Sequence, residues 1–326
     1  MQELAMCFYP TQVAFIDDNE TFLTWLTQIL RIKNPHINFC SFSNPKAALD
    51  FTNESTRQPA RPEWGDLGNM DAEEFFHGIL NRSGQLRSNN TRFEEISVVV
   101  VDLDMPGIDG IEFCRKIQNP NIKKILLTGI SATTKVLQAF NNKEIHYYLN
   151  KSDDNMDELL DGAIRRMQHE YFLELSRKLK YDALENSTPL FSDPALADYF
   201  DEICTRIDVK EYYFQTNPPR FHLELKNGSE CDLLIYTLND IASQLKIMDE
   251  ESAPLELIKR VKKCAYLPLF PTRDGYYIPE LGLALEHLHK SELVPGSQDF
   301  YCALTSPKLA HKDDTQVATP GSNSLH

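Results

Sequence analysis

The chain has 326 residues, 42% of them hydrophobic, and a formal net charge of −15. That length suits two ordinary domains, each able to bury a core. The acidic balance disfavours a broad electrostatic grip on nucleic acid or on an anionic membrane. No run of about 18 apolar residues is present, so no membrane-spanning helix is expected, and the opening residues lack the basic and apolar regions of a secretory leader. The seven cysteines, at 7, 40, 114, 204, 231, 264 and 302, are odd in number, scattered and never spaced Cys-x-x-Cys. This favours reduced thiols and a cytoplasmic location over a disulfide framework or a zinc site.

In chain order, Gln12 to Ile16 reads as a short apolar strand ending in Asp17-Asp18. Glu20 to Lys33 carries Phe22, Trp25, Leu26, Ile29 and Leu30 at helical spacing and stops at Asn34-Pro35. Ile37 to Phe42 is a second strand, and Asn44-Pro45 opens a short helix through Phe51. From Thr52 to about Phe93 the pattern breaks into Asn, Arg, Ser, Gly and Pro, with one helix expected over Asp71 to Leu80. A β-α-β crossover needs far fewer residues, so 52–93 reads as an insert.

The stretch Ile96 to Phe113 follows. Val98 to Val101 suit a central parallel strand, apolar on both faces, with Asp102 at its end. Met105-Pro106-Gly107 signals a turn, and Asp109 with Glu112 has capping-box spacing before the next helix. Lys123 to Thr128 is a fourth strand and Ala132 to Phe140 a helix. Ile145 to Leu149 is a fifth strand, ending at Asn150-Lys151. Five alternations of strand and helix predict a doubly wound five-stranded parallel sheet.

A long helix is expected from Asp153 or Asp154 to Lys180. Leu160, Ile164, Met167, Tyr171 and Leu175 line one side at spacings of three and four. That row admits two readings, a linker helix packed on a second domain or a dimerisation seam.

The second half alternates differently. Helices are expected over Pro194 to Ile207, Leu238 to Met248, Leu255 to Cys264 and Leu281 to Lys290. Strands are expected over Val209 to Phe214, Phe221 to Leu225 and Cys231 to Tyr236, the last two joined by an Asn227-Gly228 hairpin. The result is a smaller α+β domain. The sequence divides into 1–152 with the insert at 52–93, a linking helix over 153–188, the α+β domain over 189–305, and a polar tail over 306–326 expected to be disordered.

Asp17, Asp18, Asp102, Thr128, Tyr148 and Lys151 all fall at strand ends of the first domain. In open parallel sheets those ends converge on one edge, where ligands bind. Three carboxylates there repel one another and call for a hard cation such as Mg²⁺. Asp102 is then placed to attack phosphorus as a carboxylate nucleophile. Lys151 would neutralise the phosphoryl oxygens, and the Thr128 hydroxyl would donate to one of them. An Asp-x-Asp phosphatase of the haloacid-dehalogenase type also uses a strand-end aspartate, but the Met-Pro-Gly-x-Asp-Gly continuation and the Asp17-Asp18 pair fit it poorly.

The ordered set Asp17-Asp18, Asp102-Leu-Asp-Met-Pro-Gly-x-Asp-Gly, Thr128-Gly129 and Tyr148-x-x-Lys151 resembles the receiver domain of two-component response regulators, over about residues 10–180 with the insert set aside. The resemblance implies phosphoryl transfer from a sensor histidine kinase to Asp102. It implies Mg²⁺ held by Asp18, Asp102 and the backbone carbonyl of Asp104, with Asp17 acting through water. It makes Thr128 and Tyr148 a switch pair and Lys151 the phosphate partner. The chain would accept a phosphoryl group rather than act as an enzyme, and would dimerise on phosphorylation. Two residues depart from the pattern. Ser152 stands where the family usually has proline, and a cis peptide there would cost roughly 2.5–4 kcal/mol. Asp104 occupies a position that in the family influences phosphoryl lifetime.

The second half shows no winged-helix or helix-turn-helix pattern. Its one basic cluster, Lys259, Arg260, Lys262 and Lys263, reads either as a solvated helix face or as a phosphate or nucleic-acid contact. Tyr212, Tyr213, Phe221, Tyr276 and Tyr277 read either as core or as a base-stacking surface. The layout resembles the Legionella-type quorum-sensing response regulators. The readings left for the output are dimerisation and partner contacts in signalling or gene regulation, a phosphorylation-gated nucleic-acid binder, or a protein-interaction module or phosphate sink without nucleic acid.

Overall fold

A computed structural model of the chain describes residues 3–55, 90–129, 134–183, 189–272 and 274–309. The first sheet is built from β2 (Gln12–Ile16), β3 (Asn38–Phe42), β4 (Ile96–Asp102), β5 (Lys123–Thr128) and β6 (Tyr147–Asn150). All its pairings are parallel, in the order β3-β2-β4-β5-β6. Period-two alternation explains the core. Val98 and Val100 of β4 face one layer, packed by α1 (Glu20–Lys33) and the first half of α5 (Met156–Ala183). Val99 and Val101 face the other, packed by α2 (Pro45–Ser55), α3 (Gly110–Lys116) and α4 (Thr134–Asn141). The chain leaves β2 towards β3 and returns across it to β4. The C-terminal ends of β2 and β4 therefore meet where the winding reverses, and a crevice opens at such a point. The helix expected over 71–80 lies outside the described residues.

The second sheet has seven strands. Its path runs β1 (Cys7–Phe8), β7 (Val209–Thr216), β8 (Pro219–Leu225), β9 (Ser229–Tyr236), β13 (Asp299–Leu304) and β12 (Glu292–Pro295), with β14 (Lys308–Leu309) also on β9. One face packs on α6 (Pro194–Arg206). The other packs on α7 (Leu238–Glu250), α8 (Leu255–Lys262) and a small sheet of β10 (Tyr266–Pro268) and β11 (Leu288–Lys290). Thr237 and Asp240 form a full capping box at the start of α7.

Several expectations are corrected. The sequence reading put the N-terminus in the first domain, but Leu4, Ala5, Met6 and Tyr9 are buried in the second core. Cys7 and Phe8 pair with Tyr213 and Tyr212. A two-residue edge strand has no periodicity to read. The row on α5 does not form an intermolecular seam. Leu160, Ile164 and Met167 are buried in the first core, Tyr171 in the second, and Leu175 packs beside it. This helix is a spine shared by two cores. No helix spans 281–290; short 3₁₀ turns at Pro279–Leu281 and Leu285–His287 lead into β11, whose backbone partners lie on β10. Pairing with a neighbouring strand outweighs local helix preference there. The tail was expected to be disordered from 306, yet Lys308 and Leu309 pair with Glu230 and Ser229. The base-stacking reading fails for Tyr212, Tyr213, Phe221 and Tyr277, all of which are buried.

The two domains meet through ionic groups as well as through α5. Arg92 donates to Glu211 through Nη2 at 2.9 Å and Nε at 3.3 Å, with both side chains nearly sealed from water. Lys210 reaches the same carboxylate at 2.7 Å. Glu95, just before β4, accepts from the hydroxyls of Tyr9 and Tyr171.

Candidate functional site

Asp17 follows β2 and Asp102 ends β4, so the switch point brings both carboxylates together. They are 3% and 6% exposed, while Asp18 faces solvent. Oxygens of Asp17, Asp18 and Asp102 lie within 4.8 Å of one another. Lys151, just past β6, reaches across the sheet edge, its Nζ 2.6 Å from Asp17 Oδ2 and 2.6 Å from Asp102 Oδ1. The Phe22 ring lies 4.8 Å from the same ammonium. The second oxygen of each buried carboxylate is also engaged. Asp17 Oδ1 accepts from the Asn19 amide at 2.9 Å, and Asp102 Oδ2 from the Asp104 amide at 3.1 Å.

Two carboxylates share one ammonium, so the buried part of the cluster carries excess negative charge. Burial, opposed by Lys151 and helped by Asp17, holds the Asp102 carboxyl above the ordinary aspartate range. Lys151 is also pushed up, because its two carboxylate partners overcome its own desolvation. The two causes differ, burial leading at Asp102 and the carboxylate partners prevailing at Lys151, but both leave a site that favours bound protons or cations. The all-oxygen donor set fits a hard ion such as Mg²⁺, with Asp17, Asp18 and Asp102 as the residues to hold it. The exposed Asp104 side chain is not in this group; the residue's observed link to the site is its backbone N–H, which donates to Asp102 Oδ2.

Local sequence explains the placement. Asp109 caps α3 by accepting from the Ile111 and Glu112 amides, each at 3.0 Å. Gly107 takes a φ of +83°, open to glycine in the preceding turn. Gly110 is packed against the end of β4; a Cβ there would lie 2.2 Å from the Asp102 carbonyl oxygen. Asp102 is thus fixed from below by a residue that has no side chain.

Thr128 is buried at the end of β5, and Tyr148 is half-buried on β6. The register Leu126↔Tyr148 and Thr128↔Asn150 makes them diagonal neighbours on one face. Tyr148 stands edge-on to Phe140, with centroids 6.4 Å apart. Ser152 uses its freedom from the proline ring. Its amide donates to Asn150 Oδ1 at 3.0 Å, while the Lys151 amide donates to the Thr128 carbonyl at 2.8 Å. A cleft of about 490 Å³ meets the cluster at Asp18 and is lined also by Ser43, Lys46, Pro106 and Ile108, among others.

The basic group of the second domain is not gathered into a site. Lys259, Lys262 and Lys263 face solvent. Arg260 pairs with Glu256 at 2.9 Å and lies over the Tyr266 ring. The sequence reading also passed over the Arg92–Glu211 pair and the polar alternation His222-x-Glu224 and Glu230-x-Asp232. The Asn-Gly hairpin between those two runs was the available signal that they face each other.

Comparison with known proteins agrees with this geometry. Residues 81–162 match the family model described as "Response regulator receiver domain". The match begins beyond Asp17 and Asp18, which join the site through the fold. The chain is 33% identical over 75 residues to the transcriptional regulatory protein GlnL of Bacillus subtilis, covering 23% of this chain and 24% of that protein. The chain thus spans about a quarter of that relative's length. The structure of the Legionella pneumophila response regulator LqsR superposes with a TM-score of 0.75 at 24% identity, covering 96% of this chain and 92% of that one. The fold of LqsR therefore extends over both domains.

Proposed function

We propose that this chain, whose first domain is a response regulator receiver, accepts a phosphoryl group on Asp102 from the phosphohistidine of a sensor kinase. The observation that carries the reading is Asp102 itself, a buried carboxylate at the end of the central strand with Lys151 at 2.6 Å. A carboxylate oxygen of Asp102 forms the new O–P bond, the N–P bond breaks, and its electron pair returns to the imidazole of the donor. Lys151, now shared by two carboxylates, turns to the new phosphoryl oxygens and balances their charge. A Mg²⁺ held by Asp17, Asp18 and Asp102, with the Asp104 carbonyl as a further ligand, supplies neutralisation of the phosphoryl charge. The Thr128 hydroxyl moves to the phosphoryl group and Tyr148 follows into the space it leaves, passing the change to the β5–β6 edge. The spine helix α5 and the Arg92–Glu211 contact carry it to the second domain.

A small-molecule phosphodonor with Mg²⁺ tests this on the full chain. The expected result is an acid-labile mass increase of one phosphoryl group, absent in Asp102→Asn and dependent on Mg²⁺. Labelling that persists in Asp102→Asn overturns the assignment. For the output, burial of the α5 row leaves dimerisation on phosphorylation to another surface, read by mass in solution with and without the phosphodonor. The exposed Lys259, Lys262 and Lys263 are the residues that the nucleic-acid reading would use. Binding that falls steeply with salt and is lost on reversing those charges supports it, and no binding at low salt refutes it.

A further inference from the structure

The second sheet carries a cluster that the phosphoacceptor site does not use. Strands β8 and β9 pair in the register His222↔Asp232 and Glu224↔Glu230. Directly opposed residues share a face, and the alternate residues Phe221, Leu223 and Leu225 are spent in the core behind. The four polar side chains therefore stand together on the other face.

Their arrangement is specific. His222 is 9% exposed. Its Nδ1 lies 3.2 Å from Asp232 Oδ1, a carboxylate also approached by Arg220 at 3.6 Å. With Nδ1–H donating to Asp232, the Nε2 lone pair points the other way. Nε2 is buried without a hydrogen-bond partner, yet sits 3.4 Å from Glu230 Oε2. Ligand atoms of His222, Glu224 and Glu230 fall within 4.8 Å of one another. A lone pair held against carboxylate oxygens is repulsive unless a cation lies among them.

The spacing matches what such a cation requires. Zinc–ligand bonds of about 2.1 Å at a tetrahedral centre set neighbouring ligand atoms about 3.4 Å apart, the separation seen between His222 Nε2 and Glu230 Oε2. An imidazole whose far nitrogen is held by a carboxylate is the usual second partner arrangement of a metal-bound histidine, fixing its tautomer and ring plane. One imidazole with two carboxylates is a mixed donor set suited to first-row transition ions, unlike the all-oxygen group around Asp102. Glu224 and Glu230 keep partial access to solvent, which leaves room for water on the ion.

We propose that His222, Glu224 and Glu230 form a divalent transition-metal site on the second domain, with Asp232 as the residue that orients His222. The site is separate from the receiver cluster and does not depend on phosphorylation of Asp102.

The test is equilibrium dialysis of the metal-stripped full chain against Zn²⁺, with thiols reduced and Asp102→Asn as the background so that the receiver cluster is weakened. The expected result is saturable uptake of one ion. His222→Gln and Glu230→Gln should each weaken it tenfold or more, and Asp232→Asn about 10–100-fold. Glu230→Gln guards against a folding defect in the more buried His222 variant, and far-ultraviolet circular dichroism checks both. Co²⁺ substitution should give visible bands without thiolate charge transfer. Three outcomes overturn the proposal: no saturable uptake, uptake unchanged by both His222→Gln and Glu230→Gln, or a thiolate-bearing Co²⁺ spectrum. The first means that His222, Glu224 and Glu230 hold no ion; the others place the ion elsewhere.

Discussion

Replacing Lys151 with methionine keeps most of the side-chain volume and removes the only cation within reach of Asp17 and Asp102 among the contacts described at this site. Removing one partner of a buried ion pair typically costs about 3–5 kcal/mol, because the other charge is left without a partner. The Lys151 side chain is 22% exposed, so solvent relieves part of that cost and about 2–3 kcal/mol is the better figure. At roughly 2–4 °C per kcal/mol, the apparent Tm of the full chain should fall by about 4–12 °C at pH 7. The loss has a sign in pH. Asp102 is already held above its ordinary range by burial, with Lys151 opposing, so deleting Lys151 raises it further. A carboxyl with a raised folded pKa weakens the fold once it is ionised, and the penalty disappears as pH falls through that raised value. The Lys151→Met deficit should therefore shrink on moving from pH 7 towards pH 5. Mg²⁺ should stabilise the variant more than the parent chain, since the ammonium no longer competes for the carboxylates; saturation at a hundredfold over Kd adds about 2.7 kcal/mol. Thermal melts at both pH values, with and without Mg²⁺, decide the matter. A deficit that is the same at both pH values, with no added gain from Mg²⁺, would refute the excess-charge account of the site.

Other positions make independent demands. Gly110→Ala puts a Cβ 2.2 Å from the Asp102 carbonyl oxygen, so the urea midpoint should drop by the equivalent of about 3 kcal/mol and phosphorylation should slow with it; a wild-type midpoint would show that α3 can move away from β4 freely. Arg92→Met leaves the sealed Glu211 to Lys210 and the Tyr213 hydroxyl and should cost about 3 kcal/mol, with faster amide exchange on β7. Glu211 is held below the ordinary glutamate range, burial pushing it up but Lys210 and Arg92 prevailing. Its contribution is present above the ordinary glutamate pKa and lost as pH falls through the depressed value, so Glu211→Gln should flatten the acid limb of a stability–pH curve. Ser152→Pro removes the amide that donates to Asn150 and should lower stability by about 1 kcal/mol, measured by the same melts.

The sequence by itself determined the first sheet and its edge. A valine run apolar on both faces, turn signals behind it and carboxylates at strand ends encode a local pattern, and the winding rules of parallel sheets then leave one place for Asp17, Asp102 and Lys151 to meet. The Asn227-Gly228 signal likewise set the hairpin of the second domain: a three-residue loop, Lys226 to Gly228 with Gly228 at a φ of +82°, joins the strands, and loop length with turn type fixes register. What only the tertiary structure decided is everything held by pairing across long separations. Cys7–Phe8 and Lys308–Leu309 are too short to show periodicity and take their conformation from β7 and β9. The apolar row of α5 looks the same whether it faces another chain or two cores of its own; packing of Leu160 in one core and Tyr171 in the other settles that it is internal. His222 and Glu230 became neighbours of consequence only when the register put Nε2 against a carboxylate with no donor between them. Local propensity and periodicity act over a few residues, whereas the partner that satisfies a buried polar atom can come from anywhere in the chain.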